Sequence, residues 1–300
     1  MISPLRYPGS KKRLAGLVNQ VLQVNNLRPK LYIEPFVGGA SVALHLLAEN
    51  AVEQVILIDI DPMITGFWEV VFNETEWLID QIQTIPVTLD QWHYFKRTPA
   101  NGRQTQALTC LFLNRTSFSG ILQNAAGPLG GKTQLSEYPI DCRFPRQTLI
   151  DRIKEIAEYK ERIAAIWCCS WDDGIRRIRQ GHEGRQFPQD KLFFYLDPPF
   201  FKKAEKLYRF VFTQEDHARL RNFLLELNDP WLLSYDAADE FEALYGEAIA
   251  QRTNGAQRQH IELLYTTANQ QNPRRAREVI LSNLDHLPEM PVLIEKMGKE

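Results

Sequence analysis

Leu31-Tyr32-Ile33-Glu34-Pro35-Phe36-Val37-Gly38-Gly39-Ala40-Ser41 decides how this chain folds. It opens with an apolar run of the kind found in strands buried inside parallel sheets. Two glycines then let the backbone turn tightly and approach a ligand closely. Val42, Leu44, Leu46 and Leu47 continue as a helix. The spacing is not G-x-G-x-x-G, so the dinucleotide fingerprint is not met. Downstream, Val55-Ile56-Leu57-Ile58-Asp59 reads as a second strand ending in an acid. An acid at that position suits the hydroxyls of a ribose. The order strand, glycine turn, helix, strand, acid predicts an α/β chain that holds a nucleoside-containing ligand without an extended phosphate grip. A plain α/β crossover is the competing reading.

The second informative stretch is Leu192-Phe193-Phe194-Tyr195-Leu196-Asp197-Pro198-Pro199-Phe200. Another buried strand is stopped by two prolines, which cannot donate to a ladder. Ligands of open α/β sheets bind beyond the carboxyl ends of the strands, which is where Asp197 and Phe200 fall. An exocyclic amine on a nucleobase is a weak nucleophile, because its lone pair is delocalised into the ring. A fixed acceptor beside its N–H raises the electron density on nitrogen. Asp197 supplies a carboxylate for that purpose, and the Pro198 carbonyl supplies a second acceptor. Locked φ angles at Pro198 and Pro199 hold both still. Phe200 offers a flat face on which an extruded base can stack. The same residues also read as an ordinary strand end with an Asp-Pro turn and a core phenylalanine.

Bulk properties narrow the classes. The chain has 300 residues, 44% hydrophobic and 24% charged, enough for one large or two modest domains. Cys110, Cys142, Cys168 and Cys169 contain no C-x-x-C, and the six histidines show no ligand spacing with them. Neither a metal site nor a disulfide framework is indicated, and a reduced cytoplasmic setting is the simplest expectation. No apolar run is long enough to span a bilayer, and the first residues lack a signal-peptide core. A formal charge of -2 removes the overall basic signature of nucleic-acid binders. Local basic groups remain at Arg176, Arg177, Arg179 and Arg185, at Lys202, Lys203 and Lys206, and at Arg274, Arg275 and Arg277. These read either as phosphate contacts or as solvated faces.

Other segments fill in the order. Ser3-Pro4-Leu5-Arg6-Tyr7-Pro8-Gly9-Ser10-Lys11 is a structured loop before a helix carrying Leu14, Leu17, Val18, Val21 and Leu22. A helix start with Lys11 beside it favours an anionic group such as a carboxylate. From 63 to 165 the pattern is mainly helical, interrupted by a polar, glycine-rich reach between Asn114 and Pro145. A reach of that length is usually functional or mobile. Arg115, Lys132, Arg143 and Arg146 there could touch a nucleic-acid backbone. The sheet resumes at Ile166-Trp167-Cys168-Cys169-Ser170. Asp172 or Asp173 after it could bond an adenine-like ring or cap a helix. A helix over 213–227 opens with Thr213 and Asp216 in capping positions. Trp231-Leu232-Leu233-Ser234-Tyr235-Asp236 reads as a strand. His260–Tyr265 and Glu278–Ser282 read as a closing antiparallel hairpin, with Asn272-Pro273-Arg274-Arg275 as the exposed loop between them.

Taken together, Arg6-Tyr7-Pro8-Gly9-Ser10-Lys11, Glu34-Pro35-Phe36-Val37-Gly38-Gly39-Ala40-Ser41, Asp59, Asn114-Arg115 and Asp197-Pro198-Pro199-Phe200 resemble the Dam-type (D12 class) family of adenine-specific DNA methyltransferases. The order of these motifs matches as well. The resemblance implies a Rossmann-like class I methyltransferase sheet with a mainly helical recognition insertion. The catalytic domain would take 1–62 and 166–300, and the DNA-recognition insertion 63–165. The implied activity is methyl transfer from S-adenosylmethionine to N6 of adenine in double-stranded DNA, within a specific sequence and with the base flipped out, and without a metal. Cofactor contacts are expected from Tyr7, Lys11, Phe36, Gly38, Asp59 and Asp197. Catalysis is expected from Asp197, Pro198, Pro199 and Phe200, and DNA contacts from Asn114, Arg115, Lys132 and Arg143. The protein is expected to act as a monomer, with a cognate restriction endonuclease as its partner in a restriction-modification setting. Two residues depart from the family pattern: Phe200 stands where tyrosine is usual, and Ala40 where glycine is frequent. The competing activities are cytosine-N4 or RNA adenine methylation, a small-molecule methyltransferase, or an inactive nucleic-acid-binding module.

Overall fold

A computed structural model describes residues 2–6, 12–202, 204–250, 257–265 and 274–288. The strands are β1 (Leu31–Pro35), β2 (Gln54–Asp59), β3 (Ile163–Cys168), β4 (Leu192–Leu196), β5 (Trp231–Asp236), β6 (Gln257–Tyr265) and β7 (Arg274–Ser282). They form one sheet in the order β3-β2-β1-β4-β5-β7-β6. The first five are parallel, β7 runs antiparallel to β5, and β6 antiparallel to β7. From β1 the chain goes first to β2 and β3 on one side, then to β4 and β5 on the other. That reversal opens a crevice beyond the carboxyl ends of β1 and β4, the usual ligand site of such sheets.

Alternation along the strands divides the core into two layers. Tyr32, Val55, Leu57, Phe193, Tyr195 and Leu232 face one side, and Leu31, Ile33, Ile56, Ile58, Phe194, Leu196 and Leu233 the other. Both faces are covered, so the parallel strands are apolar on both sides. On the first face lie α1 (Lys12–Val24), α2 (Ser41–Ala48), α3 (Pro62–Asn73), α4 (Thr75–Thr84), α5 (Leu89–Arg97), α6 (Arg103–Thr116) and α7 (Arg146–Ala157). On the opposite face lies α8 (Trp171–Gln180). The short α9 (Ala204–Leu207) follows the proline turn, and α10 (Gln214–Glu226) and α11 (Asp239–Ala250) join α8.

The helical stretch expected over 63–165 comprises α3 to α7, but its first helix has a different job. Asp61 caps α3 through Met63 N–H, and Pro62 fits the first turn, where no N–H is needed. The helix packs along β2 and β3 as the sheet's own crossover. The helices after α3, and the loop 117–145, are the added material. Three other expectations shift slightly. β3 begins three residues before Ile166, and it ends at Cys168, two residues short of Ser170. β6 and β7 are each longer than the hairpin strands read from the sequence, so Arg274 and Arg275 lie in β7. Residues 266–273, which include Asn272 and Pro273, lie outside the described residues, as does Lys203. Among the described residues, no helix is long and apolar enough to cross a membrane.

Candidate active site

The turn after β1 is conformationally demanding. Phe36, Gly38 and Ala40 all have positive φ, at 69°, 44° and 49°. Such a backbone needs external support, and β2 and α3 give it. Gly38 N–H donates to Asp59 Oδ2 at 2.9 Å, and the Gly38 carbonyl accepts from Trp68 Nε1 at 2.9 Å. Asp59 Oδ1 accepts the N–H of Asp61 at 2.9 Å. Asp59 is buried, which pushes its carboxyl up to about 7, with Asp61 adding to the rise; backbone N–H donors pull it down. Asp61 takes Met63 N–H at 2.9 Å and Arg209 Nη1 at 2.6 Å. Its own carboxyl is raised by burial and opposed by that guanidinium. Glu34, also buried, accepts Tyr32 O–H and Ala43 N–H, each at 3.0 Å. Burial pushes Glu34 up to about 8. The start of α2 is thus fixed to β1 by a carboxyl that is largely protonated at neutral pH.

The proline turn after β4 is supported differently. Asp197 Oδ1 accepts a hydrogen bond from Ser234 Oγ of β5 at 2.8 Å, and Tyr195 hydroxyl meets the same Ser234 oxygen at 2.9 Å. One residue past the turn, Phe201 stacks on His217 with ring centroids 4.0 Å apart, and on Tyr235 at 4.7 Å. His217 Nδ1 and Tyr235 hydroxyl bond at 2.5 Å, and burial pushes this histidine down to about 4, so it stays neutral. Phe201 N–H donates to Asp236 Oδ1 at 3.2 Å. A strap at 208–212 then crosses back. Arg209 ties it to Asp61, and Phe212 meets Phe36 edge-on at 5.3 Å. That strap leads into α10, whose Thr213 and Asp216 form the capping box read from the sequence.

Phe36, Gly38, Asp59, Asp197 and Pro199 therefore line a single cleft, with Glu34, Asp61, Trp171 and Arg209 beside them. Phe200 is not on that cleft. It lines an adjoining groove with Lys202, Leu207 and Asp236, and meets Tyr208 edge-on at 5.8 Å. Tyr7 and Lys11 lie outside the described residues. Asn114 and Arg115, expected to contact nucleic acid, are both buried in the last turns of α6. Asn114 accepts Arg6 N–H at 2.6 Å and donates to the Gly120 carbonyl at 2.9 Å. Arg115 Nε donates to the Arg143 carbonyl at 2.5 Å. Their side chains are occupied in pinning the chain start to the long loop. Gly120 has to be glycine there: at φ 72° a Cβ would stand 2.0 Å from the Arg6 carbonyl oxygen. Lys132 and Arg143 are exposed, as are Phe118, Leu135 and Tyr138 on the same loop. Asp172 and Asp173 serve the first turn of α8 and pair with Arg219 and Arg176.

Trp68, Asp61, Arg209 and Ser234 were not singled out as site residues by the sequence reading. Asp61-Pro62 before an apolar helix carried a readable capping signal. Ser234 carried none, because only the strand order brings it beside Asp197.

Five carboxyl groups (Glu34, Asp59, Asp61, Asp197 and Asp216) against two guanidinium groups (Arg209 and Arg219) line the cleft, together with aromatic Phe36 and Trp171. With Glu34 protonated at neutral pH, the remaining carboxyl groups still outnumber the guanidinium groups on the cleft wall. Among the described residues, no cluster of three or more His, Cys, Asp or Glu could hold a metal ion. A switch-point cleft in this strand order, with an acid after β2 and an Asp-Pro-Pro turn after β4, is the ligand site of a Rossmann-like sheet. The sequence pattern of the D12 class N6 adenine-specific DNA methyltransferases matches residues 7–261. The chain belongs to that family, and with it to the S-adenosylmethionine-dependent enzymes that methylate adenine in DNA. It is similar to the Type II methyltransferase M.MjaIII of Methanocaldococcus jannaschii, 25% identical over 247 residues, covering 75% of this chain and 79% of that protein. Looser likeness extends to solved structures. A putative RNA methyltransferase from Pyrococcus horikoshii gives a TM-score of 0.43 at 10% identity over 93% of this chain and 84% of its own. A precorrin-6y C5,15-methyltransferase from Geobacter metallireducens gives 0.40 at 8% identity over 90% and 86%.

Proposed function

We propose that the chain methylates adenine N6 within a specific sequence of double-stranded DNA, on a base swung out of the duplex, with Asp197 as the acceptor that activates the amine. The reading rests chiefly on Asp197 and Asp59 lining one cleft from opposite sides of β1. S-Adenosylmethionine, when bound, supplies a methyl group already activated by its sulfonium. Phe36, Gly38 and Asp59 would hold that ligand, with Tyr7 and Lys11 of the preceding loop. Asp197 and the Pro198 carbonyl accept the N6 hydrogens, so that the nitrogen lone pair leaves the ring system and points at the methyl; as the N–C bond forms, the carbon–sulfur bond would break to leave a neutral thioether, and one N6 proton would pass to solvent. Phe200, in the groove beside the cleft, stacks on the base. Unstacking costs a few kcal/mol, while alignment of two held reactants supplies about 7–11 kcal/mol of the barrier. No metal is needed for this step.

The helices after α3 and the loop 117–145 form the target-recognition part, and the sheet with its own helices the catalytic part. Lys132 and Arg143 meet phosphates, while Asn114 and Arg115 act indirectly by holding the loop's base. The exposed rings of Phe118 and Tyr138 on that loop suit contact with unstacked bases. The protein works as a monomer in the cytoplasm, and a restriction endonuclease of matching specificity is the partner that a Type II setting supplies. Incubation with duplex DNA and methyl-labelled S-adenosylmethionine, followed by nucleoside analysis, tests the reading. Label in N6-methyl-2′-deoxyadenosine is expected. Label in N4-methylcytosine or in RNA, or no transfer, would overturn it.

A further inference from the structure

We infer that Ser234, with Tyr195 behind it, is the positioning residue that aims the Asp197 carboxylate at the amine; the inference rests on the role given above to Asp197. β4 and β5 are parallel neighbours, with Leu196 level with Leu233. The next pair in that register is Asp197 and Ser234. Residues two apart share a strand face, so Tyr195 and Asp197 point the same way. Tyr195 and Leu232 belong to the apolar layer under the added helices, which puts Ser234 on that same face. The three polar groups therefore meet at the carboxyl end of the sheet.

The chain of bonds has a fixed direction. Ser234 Oγ donates its one proton to Asp197 Oδ1 at 2.8 Å. It has none left for Tyr195, so the 2.9 Å contact between the hydroxyls must be Tyr195 donating to Ser234. Tyr195 and Ser234 are both fully buried. A buried hydroxyl costs stability unless it is paired, and a strand pair needs neither of these two. An alanine and a phenylalanine would pack this position without that cost. What the hydroxyls add is a fixed location for Oδ1, and with it the plane of the carboxylate. Ser234 does not line the cleft, whereas Asp197 does, so Ser234 acts through Asp197.

Single-turnover methyl transfer and cofactor Kd, measured for S234A, Y195F and the double variant on intact enzyme, test this. In S234A the transfer rate should fall by about 10- to 100-fold, the scale for a misplaced reacting group. Cofactor Kd should stay within about twofold. Y195F should lose less, and the double variant should be no slower than S234A, because both act through one bond. A transfer rate in S234A within about twofold of wild type overturns the inference, as does a drop in rate matched by an equal loss of cofactor affinity. Should S234A fail to fold, Y195F decides alone: it is isosteric, and an unchanged rate in it overturns the relay. D197N runs in parallel. An active D197N removes the role given to Asp197 itself, whereas an inactive D197N beside a normal S234A removes only the role of Ser234.

Discussion

Asp59 and Asp197 end strands on either side of β1, both face the cleft, and they are held in opposite ways. Asp59 is gripped by backbone: Gly38 N–H on one oxygen and Asp61 N–H on the other. Asp197 is reached by a side chain of the next strand, Ser234. A backbone grip couples a carboxylate to the shape of two loops, so its removal should be felt as lost structure. A side-chain grip leaves the fold to the sheet and its packing, so a change there should be felt as lost chemistry. The two acids thus divide the cleft into a part that must keep its form and a part that must keep its aim.

The largest effect should come from the second part. Asp197→Ala should lower methyl transfer by about 10²–10³-fold or more, the scale of a lost pre-aimed charge partner, with cofactor affinity nearly unchanged and a melting temperature lowered less than in Asp59→Ala, because one buried donor, Ser234, loses its acceptor instead of two. Rapid-quench transfer assays alongside cofactor titration separate the two quantities. Near-normal turnover would mean that the amine is activated elsewhere and that the contrast drawn here is empty. Asp59→Ala should show the reverse balance. It leaves the Gly38 and Asp61 N–H groups without their acceptor in a buried site, at about 1–3 kcal/mol each. The melting temperature should drop and cofactor binding weaken together. A variant that binds weakly but melts like wild type would show that the backbone grip adds nothing to the fold.

How much of this was legible beforehand follows the same divide. The β1 turn, the acid after β2 and the Asp-Pro-Pro turn are local patterns, and each occurs where strand ends and prolines required it. The α10 capping box was equally local, since Thr213 and Asp216 are three residues apart. What the sequence could not show depends on strand order. Ser234 and Asp197 are 37 residues apart and become neighbours only because β5 lies beside β4. Arg209 meets Asp61 across 148 residues, through a strap with no periodicity to read. At Asn114 and Arg115, polar residues before a glycine-rich reach suggest an exposed loop, whereas α6 continues through them and buries both. Polarity alone does not tell a phosphate contact from a staple between backbone segments.

A third test uses pH to sharpen the comparison on the β1 side. Glu34 is pushed by burial to about 8 in the folded chain, from an ordinary value near 4.5. The folded state therefore binds more protons than the unfolded state between those values. The stabilisation from this group is complete below about 4.5 and is lost as pH rises through about 8. Glu34→Gln keeps an acceptor for Tyr32 and Ala43 and cannot ionise. Denaturant melts from pH 5 to 9 should show wild type losing stability relative to E34Q by a few kcal/mol. Parallel curves across that range would place the Glu34 carboxyl in a wetter setting than its burial implies.

The smallest effect is expected at Ala40, where the family more often has glycine. Ala40 is fully buried on the cleft side and adopts φ 49°. A left-handed backbone costs a residue with a Cβ roughly 1–2 kcal/mol, which Ala40→Gly would recover. Against that stand roughly 0.4–1 kcal/mol of extra chain entropy in the unfolded state and about 0.8 kcal/mol for the lost buried methyl. The terms nearly cancel, so A40G should melt within about 1 kcal/mol of wild type. Ala40→Val takes the same conformation with a branched Cβ and has no offsetting gain, so it should lose stability and cofactor affinity together. Calorimetric titration of the cofactor against both variants separates strain from crowding. Unchanged affinity in A40G would mean that the Ala40 methyl lies outside the ligand's reach and that the turn, once Asp59 and Trp68 hold it, tolerates the departure. Tenfold tighter binding would mean that the methyl intrudes on the ligand and that this chain gives up affinity at the one position where its glycine turn is incomplete.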